Sequence, residues 1–211
     1  MHVKAFTFNS FQENTYILFD ETKQCIIIDP GCNNVAEKNI LSAYIEKEKL
    51  HPVKLINTHC HIDHVLGNKY VAEKYSLGLE CHQNELEILH SAVKVGQMYG
   101  VEVEASPEPV KFLTENEKII FGNTSLDIFF TPGHSPGSIS FYNKKAKILI
   151  SGDVLFYGSI GRTDLPGGDY ETLIESITSK LMSLDDDIAV YSGHGNSTTI
   201  GYERLNNPFL V

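Results

Sequence analysis

The sequence predicts a mixed α/β protein in which two sheets flanked by helices form one domain over residues 1–211. Three observations lead there. Short β-rich runs recur in both halves of the chain: YILFD and CIIIDPG early, then KIIFG, SLDIFFTPG, SISFYN and AKILISGD. Segments with helical spacing of apolar residues are interleaved with them. No internal repeat, low-complexity tract or linker-like shift in composition divides the chain.

Taken in order, YILFD and CIIIDPG are strands joined by a turn at ETKQ. AEKNILSAYIEKEK places Ile40, Leu41, Tyr44 and Ile45 on one helical face with charges opposite. VKLINT is a buried strand, NKYVAEKYS opens a helix, and QNELEILHSAVKVGQMYG is a helix stopped by Gly100. Residues 102–117, with Pro107 and Pro109, are loop-like. After the later strands, YETLIESITSKLMSL forms a helix with Leu173, Ile174, Ile177 and Leu181 on one stripe, and IAVYSGHG is a last strand ending in a loop.

Hydrophobic residues make up 42% and charged residues 21% of the chain, enough for a substantial core without staples. The formal net charge of −10 argues against nucleic-acid and anionic-membrane partners, which recruit Lys and Arg. A small anionic substrate held by a local basic group remains compatible with it. The start MHVKAFTFNS has no apolar run of signal length, and the four cysteines (Cys25, Cys32, Cys60, Cys81) form no CxxC pair. The expectation is a soluble cytoplasmic protein with reduced thiols.

The chemistry concentrates at strand ends. His59, His61, Asp63 and His64 follow VKLIN, His134 follows DIFFTPG, Asp153 follows KILISG, and His194 follows IAVYSG. In extended chain, residues i and i+2 point the same way, so His59 and His61 can present both rings to one ion. Asp63 and His64 come after the chain bends toward a helix and can face a second position. A catalytic zinc site takes three protein ligands and keeps one position open, so seven donors are too many for one ion. Two ions sharing a carboxylate would use them all. Two divalent cations offset by two aspartates and a hydroxide leave a residual positive charge, which favours an anionic substrate and acidifies bound water. His2, His51, His82 and His90 lie outside this pattern and read as ordinary structural histidines. Cys60, between two ligands on an extended segment, should point away from them and pack in the core. No GxSxG occurs to support a serine hydrolase.

HxHxDH at 59–64, TPGHSPGS at 131–138, SGD at 151–153 and SGHG at 192–195, together with IDPG at 28–31, resemble the metallo-β-lactamase superfamily in order and along almost the whole chain. The resemblance implies a four-layer αββα sandwich. It implies two divalent ions, zinc first, with iron or manganese as alternatives. His59, His61 and His134 would hold one ion, Asp63, His64 and His194 the other, and Asp153 would bridge them. Asp29 would orient a ligand histidine by hydrogen bond, or serve as a simple turn residue before Pro30.

Within the superfamily the chain is most similar to the short relatives of glyoxalase II. Aspartate rather than cysteine stands at 153, unlike in many true β-lactamases of this fold, and LFYGSIGRTDLPGGD at 155–169 resembles the loop these relatives carry. Arg162 can hold a substrate carboxylate with its planar fork, or pair with Asp164 and fix the loop. Tyr157 can line the substrate pocket or stack in the core. The expected activity is thioester hydrolysis by a hydroxide bridging two metals, with Asp63 orienting it. Alternatives are a persulfide dioxygenase with one iron, or a lactone or ester hydrolase on the same scaffold. The short run after His194 leaves no room for the C-terminal helical segment with which full-length glyoxalase II enzymes help hold glutathione.

Overall fold

The structure, a computed structural model, describes residues 1–211 and divides into two compact units, Met1–Leu113 with Ile120–Ser125 and Thr114–Ile119 with Leu126–Val211. In the first unit, β1 (His2–Phe8), β2 (Glu13–Phe19) and β3 (Gln24–Ile28) form an antiparallel meander. β4 (His51–Ile56), β5 (Leu79–Cys81) and β6 (Pro109–Phe112) continue the sheet in parallel, in the order β1-β2-β3-β4-β5-β6. The connections are helical: α1 (Val35–Glu48) between β3 and β4, α2 (Ile62–Val65) and α3 (Asn68–Tyr75) between β4 and β5, and α4 (Leu86–Tyr99) after β5.

β3 is buried on both faces, with Cys25, Ile26, Ile27 and Ile28 all inaccessible, as a continuous apolar run in a central strand demands. Cys25 and Ile27 pack with Leu41 and Ile45 of α1, Leu55 of β4, Leu79 of β5 and Leu89 of α4 in one core. Burial of each such Leu or Ile side chain contributes about 1.5–3 kcal/mol. The buried stripe of α1 is Leu41, Ser42 and Ile45. Ile40, expected on that face, is exposed, because it sits one position off the stripe. The helix starts with a capping box: Asn34 accepts from Glu37 N at 3.0 Å, while the Glu37 carboxylate accepts from the Asn33 and Asn34 amides. α4 ends as expected, at Gly100 in the left-handed conformation (φ +69°).

The second sheet runs β14-β13-β10-β9-β8-β7, with β7 Lys118–Phe121, β8 Thr124–Phe130, β9 Ile139–Asn143, β10 Ile148–Gly152, β13 Ala189–Ser192 and β14 Thr198–Thr199. β11 (Leu155–Phe156) and β12 (Ser159–Ile160) make a small separate hairpin. α5 (Tyr170–Ser176) runs into a π-helical turn at Ile177–Leu181, and α6 (Ile200–Asn206) follows β14. Leu173, Ile177 and Leu181 pack with Leu149, Val190 and Ile200 in the core of this unit. Ile174, expected on the same stripe, is only partly buried. β5, β6, the hairpin β11–β12, and the β14–α6 segment were not expected from the sequence. No helix is long and apolar enough to cross a membrane.

Asn34→Ala removes the acceptor for the Glu37 amide, and the expected cost is about 1 kcal/mol of stability. Urea denaturation of the variant beside the parent measures it.

Candidate metal centre

In each unit the candidate ligands emerge where parallel strands end side by side. β3 and β4 are in register up to Ile28 opposite Ile56, so Asp29 and Asn57 leave the sheet together. Asp29 N bonds Ile56 O at 2.9 Å, and Asn57 N bonds Glu80 O at 3.0 Å. In the second unit β10 and β13 are parallel and end at Gly152 opposite Ser192, with Gly193 N bonded to Gly152 O at 3.0 Å. Asp153 and His194 therefore exit at one edge. β8 ends there too, because it is antiparallel to β9, which is antiparallel to β10.

In the first unit the sequence HCHIDH folds as expected, extended through His59 and His61, then helical through Asp63 and His64 in α2. The His59 and His61 rings meet edge-on with centroids 4.9 Å apart, and His59 and His64 lie 4.1 Å apart. Asp29, His59 and His64 each offer a ligand atom within 4.8 Å of the others. The Asp29 carboxylate holds the segment in place. Oδ1 accepts from Thr58 N at 2.7 Å and Asn57 Nδ2 at 3.3 Å, and Oδ2 accepts from Thr58 Oγ1 at 2.5 Å. The same Oδ2 lies 3.2 Å from His64 Nδ1.

These contacts fix tautomers. Asp29 Oδ2 faces His64 Nδ1, and a proton on that nitrogen would leave Nε2 to a cation. The single hydroxyl proton of Thr58 goes to Asp29, so Thr58 Oγ1, 3.1 Å from His59 Nδ1, accepts from that nitrogen. His59 thus also presents Nε2. In the second unit His134 Nδ1 lies 2.7 Å from the Arg162 carbonyl oxygen, which imposes the same tautomer.

The donor spacing fits a metal ion. Two ligand atoms each about 2.0–2.2 Å from one tetrahedral ion lie about 3.3–3.6 Å apart, beyond the usual 2.7–3.2 Å of an N–H···O bond. Asp153 Oδ2 is 3.6 Å from His134 Nε2 and 3.4 Å from His194 Nε2. Asp63 Oδ2 is 3.7 Å from His64 Nε2. A single oxygen of Asp153 thus stands at ligand spacing from two histidines, as a shared carboxylate requires.

The loop carrying His134 is pinned from several sides. Gly133 O accepts from Asp169 N at 2.7 Å, Pro132 O from Ser176 Oγ at 2.8 Å, and Thr131 N bonds Ser138 O at 2.8 Å. Gly133 has φ +128°, and a Cβ there would stand 2.3 Å from Leu173 N, so only glycine fits.

Arg162 takes the second of its two expected roles, Cys60 packs in the core as expected, and Tyr157 does not. The Arg162 fork is engaged by Asp164 in two bonds of 2.7 Å, and this pairing draws the exposed Asp164 carboxyl down to about 2. Its link to the ligand set runs through the backbone carbonyl. Tyr157 is not in the core: it is 54% exposed and stacks on Tyr202 with centroids 4.9 Å apart and hydroxyls 3.0 Å apart. Cys60 is fully buried, and burial together with the Cys81 thiol pushes its own thiol well up. Of the remaining histidines, His2 stacks on Phe19, His82 caps the turn at Asn84, and His90 pairs with Glu108.

Several supporting residues had no sequence signal. Thr58 is one. Asn57 is another: its Nδ2 donates to His64 O at 3.0 Å and its Oδ1 accepts from Asn68 at 2.7 Å. Glu13 is a third, fully buried, with Oε1 4.0 Å from His64 Nδ1. Burial raises its carboxyl well above the ordinary value.

Comparison with known proteins identifies the family. The family model described as the metallo-beta-lactamase superfamily matches residues 9–194. The chain is 37% identical over 212 residues to hydroxyacylglutathione hydrolase GloC of Haemophilus influenzae, covering all of this chain and 98% of that protein. The crystal structure of BLEG-1 B3 metallo-beta-lactamase superposes with a TM-score of 0.90 at 36% identity, covering both chains completely. That of TTHA1623 in a di-iron-bound form also gives 0.90, at 35% identity, covering 99% of this chain and all of that one.

Thr58→Val keeps shape and removes the hydroxyl shared by Asp29 and His59. Metal affinity should fall roughly 10- to 100-fold with the fold retained. Chelator competition and circular dichroism would show it, and unchanged affinity would refute the tautomer argument.

Proposed function

The chain belongs to the metallo-beta-lactamase superfamily, and on that premise we propose that it is a two-metal thioesterase of glyoxalase II type. His59, His61 and His134 would hold one ion, and Asp63, His64 and His194 the other. The observation that carries the two-ion reading is Asp153, whose Oδ2 stands 3.6 and 3.4 Å from the Nε2 atoms of two histidines assigned to different ions. Zinc suits the imidazole and carboxylate donors, and iron or manganese suit them nearly as well. The di-iron form of the similar TTHA1623 keeps iron in view.

When bound, the ions supply a water of lowered pKa and polarise the substrate carbonyl. The chain's residues do the rest. Asp63 accepts a hydrogen bond from the attacking water and orients it toward the carbonyl carbon. Thr58 and the Arg162 carbonyl hold His59 and His134 in the tautomer that presents Nε2, and the Asp29 carboxylate faces Nδ1 of His64. Hydrolysis then gives a carboxylic acid and a thiol, and no side-chain nucleophile is needed.

The thioester assignment draws support from the likeness to hydroxyacylglutathione hydrolase GloC over the full length of this chain. The substrate we propose is a small anionic thioester. The net charge of −10 disfavours nucleic acid and anionic membranes. Four buried thiols without a disulfide suit a reducing, cytoplasmic setting. The likeness to a B3 metallo-beta-lactamase supports a second reading, opening of a cyclic amide or ester on the same centre.

The test is hydrolysis of S-lactoylglutathione by metal-loaded protein, with a lactone, a β-lactam and glutathione persulfide as competitors for the assignment. Turnover of the thioester is expected. Asp153→Ala should abolish it and lower the metal content, a larger loss than the roughly 10- to 100-fold typical of outer-sphere changes. Turnover of the β-lactam alone, or persulfide oxidation with one iron per chain, would refute the thioesterase reading. Full activity with two metals in the variant would refute the shared carboxylate.

A further inference from the structure

The turn between β1 and β2 reaches the back of the metal-binding segment. Asn9 Nδ2 donates to two carbonyl oxygens, Gly31 O and Asp63 O, both at 3.0 Å. The Asn9 amide donates to Glu37 Oε1 at 2.9 Å, which ties the turn to the first turn of α1. Asn9 has φ +52°, a left-handed conformation that asparagine tolerates better than most residues. Four residues on, Glu13 is fully buried. Its Oε2 accepts from Thr15 Oγ1 at 2.9 Å, and that hydroxyl in turn accepts from Gly31 N at 2.8 Å. Its Oε1 faces His64 Nδ1 at 4.0 Å.

These groups meet at one point. A Cβ on Gly31 would lie 2.0 Å from Glu13 Oε2, 2.6 Å from Asn9 Nδ2 and 2.8 Å from Asp63 O. Glycine at 31 lets the hairpin close onto the ligand segment. A carboxyl group held without solvent is costly unless its neighbours compensate, and here it stands behind an imidazole whose Nδ1 already faces Asp29 Oδ2. At 4.0 Å the Glu13 carboxyl packs behind the ring without a hydrogen bond to it and limits where the ring plane can lie. The contacts of Asn9 and Glu13 fall on Asp63 and His64, adjacent members of one proposed ligand set.

We propose that Asn9 and Glu13 are positioning residues that set the affinity of the Asp63–His64 metal position separately from that of the His59–His61 position. This rests on the two-metal reading above. Asn9 fixes the backbone from which the Asp63 carboxylate projects, and Glu13 seats the His64 ring from behind.

Cobalt(II) titration of the metal-stripped full chain, followed by visible absorption and by elemental analysis after dialysis, tests it. Glu13→Gln keeps the shape and an acceptor for Thr15 Oγ1. Asn9→Ala removes the backbone clamp and is a surface-turn change that decides the matter should Glu13→Gln not fold. The parent should bind two ions. Each variant should keep one at parental affinity and bind the other roughly 10- to 100-fold more weakly. Two ions at parental affinity in the variants, or equal weakening of both, would overturn the proposal. A parent that binds a single ion would overturn the two-metal reading and this inference with it, an outcome distinct from the other two.

Discussion

Much of the site depends on one buried carboxylate. Asp29 takes hydrogen bonds from the Thr58 amide, the Thr58 hydroxyl and the Asn57 side chain, and faces His64 Nδ1. Its own backbone is left-handed, with φ +50°. For a residue other than glycine that conformation costs roughly 1–2 kcal/mol, and the four contacts offset it. Parallel pairing of β3 with β4 makes them possible, by delivering Asp29 and Asn57 to the same edge in the same register. A register shift of one residue would turn the Asp29 carboxylate to the opposite face, away from Thr58 and His64.

The candidate donors stand out in the sequence because they are rare, chemically loaded residues placed just past runs that read plainly as strands. What orients them does not. Asn9 acts on Asp63 across 54 residues, and Asp29 acts on Thr58 across 29. Asparagine, threonine and glutamate are too common for a local pattern to single them out. The small elements escaped for a different reason. β11, β12 and β14 have two residues each, too short to show alternation. β6 is an exposed edge strand that opens on Pro109. The long strands and α1, α3 and α4 were legible because burial on a fixed face imposes a period, and Ile40 shows how loosely that period limits a stripe's edge.

Arg162 shows a side chain and its backbone parting roles. A guanidinium in a glycine-rich loop suggests substrate binding, yet this one is engaged by its neighbour Asp164 two residues on. What the loop gives the centre is a carbonyl that any residue could supply, held to His134 at 2.7 Å. Identity at this position then bears on loop shape, while the metal-facing tautomer depends on the path of the backbone.

The same division separates the reaction from its substrate. His59, His64, His134 and Asp153 are buried and fixed by backbone ends and carboxylates, so their geometry has little latitude. Tyr157, Tyr202 and Arg162, by contrast, are exposed and lie on a two-residue-strand hairpin, a short helix and a loop. Glu203, fully buried, anchors that hairpin to α6 by accepting from Gly158 N at 3.0 Å and Thr198 Oγ1 at 2.5 Å. Substitution on such a surface costs the core little. Buried donors of this kind can therefore stay fixed in each unit while the exposed surface changes. The donors and the superfamily together carry metal-dependent hydrolysis, and neither of them selects the acyl group.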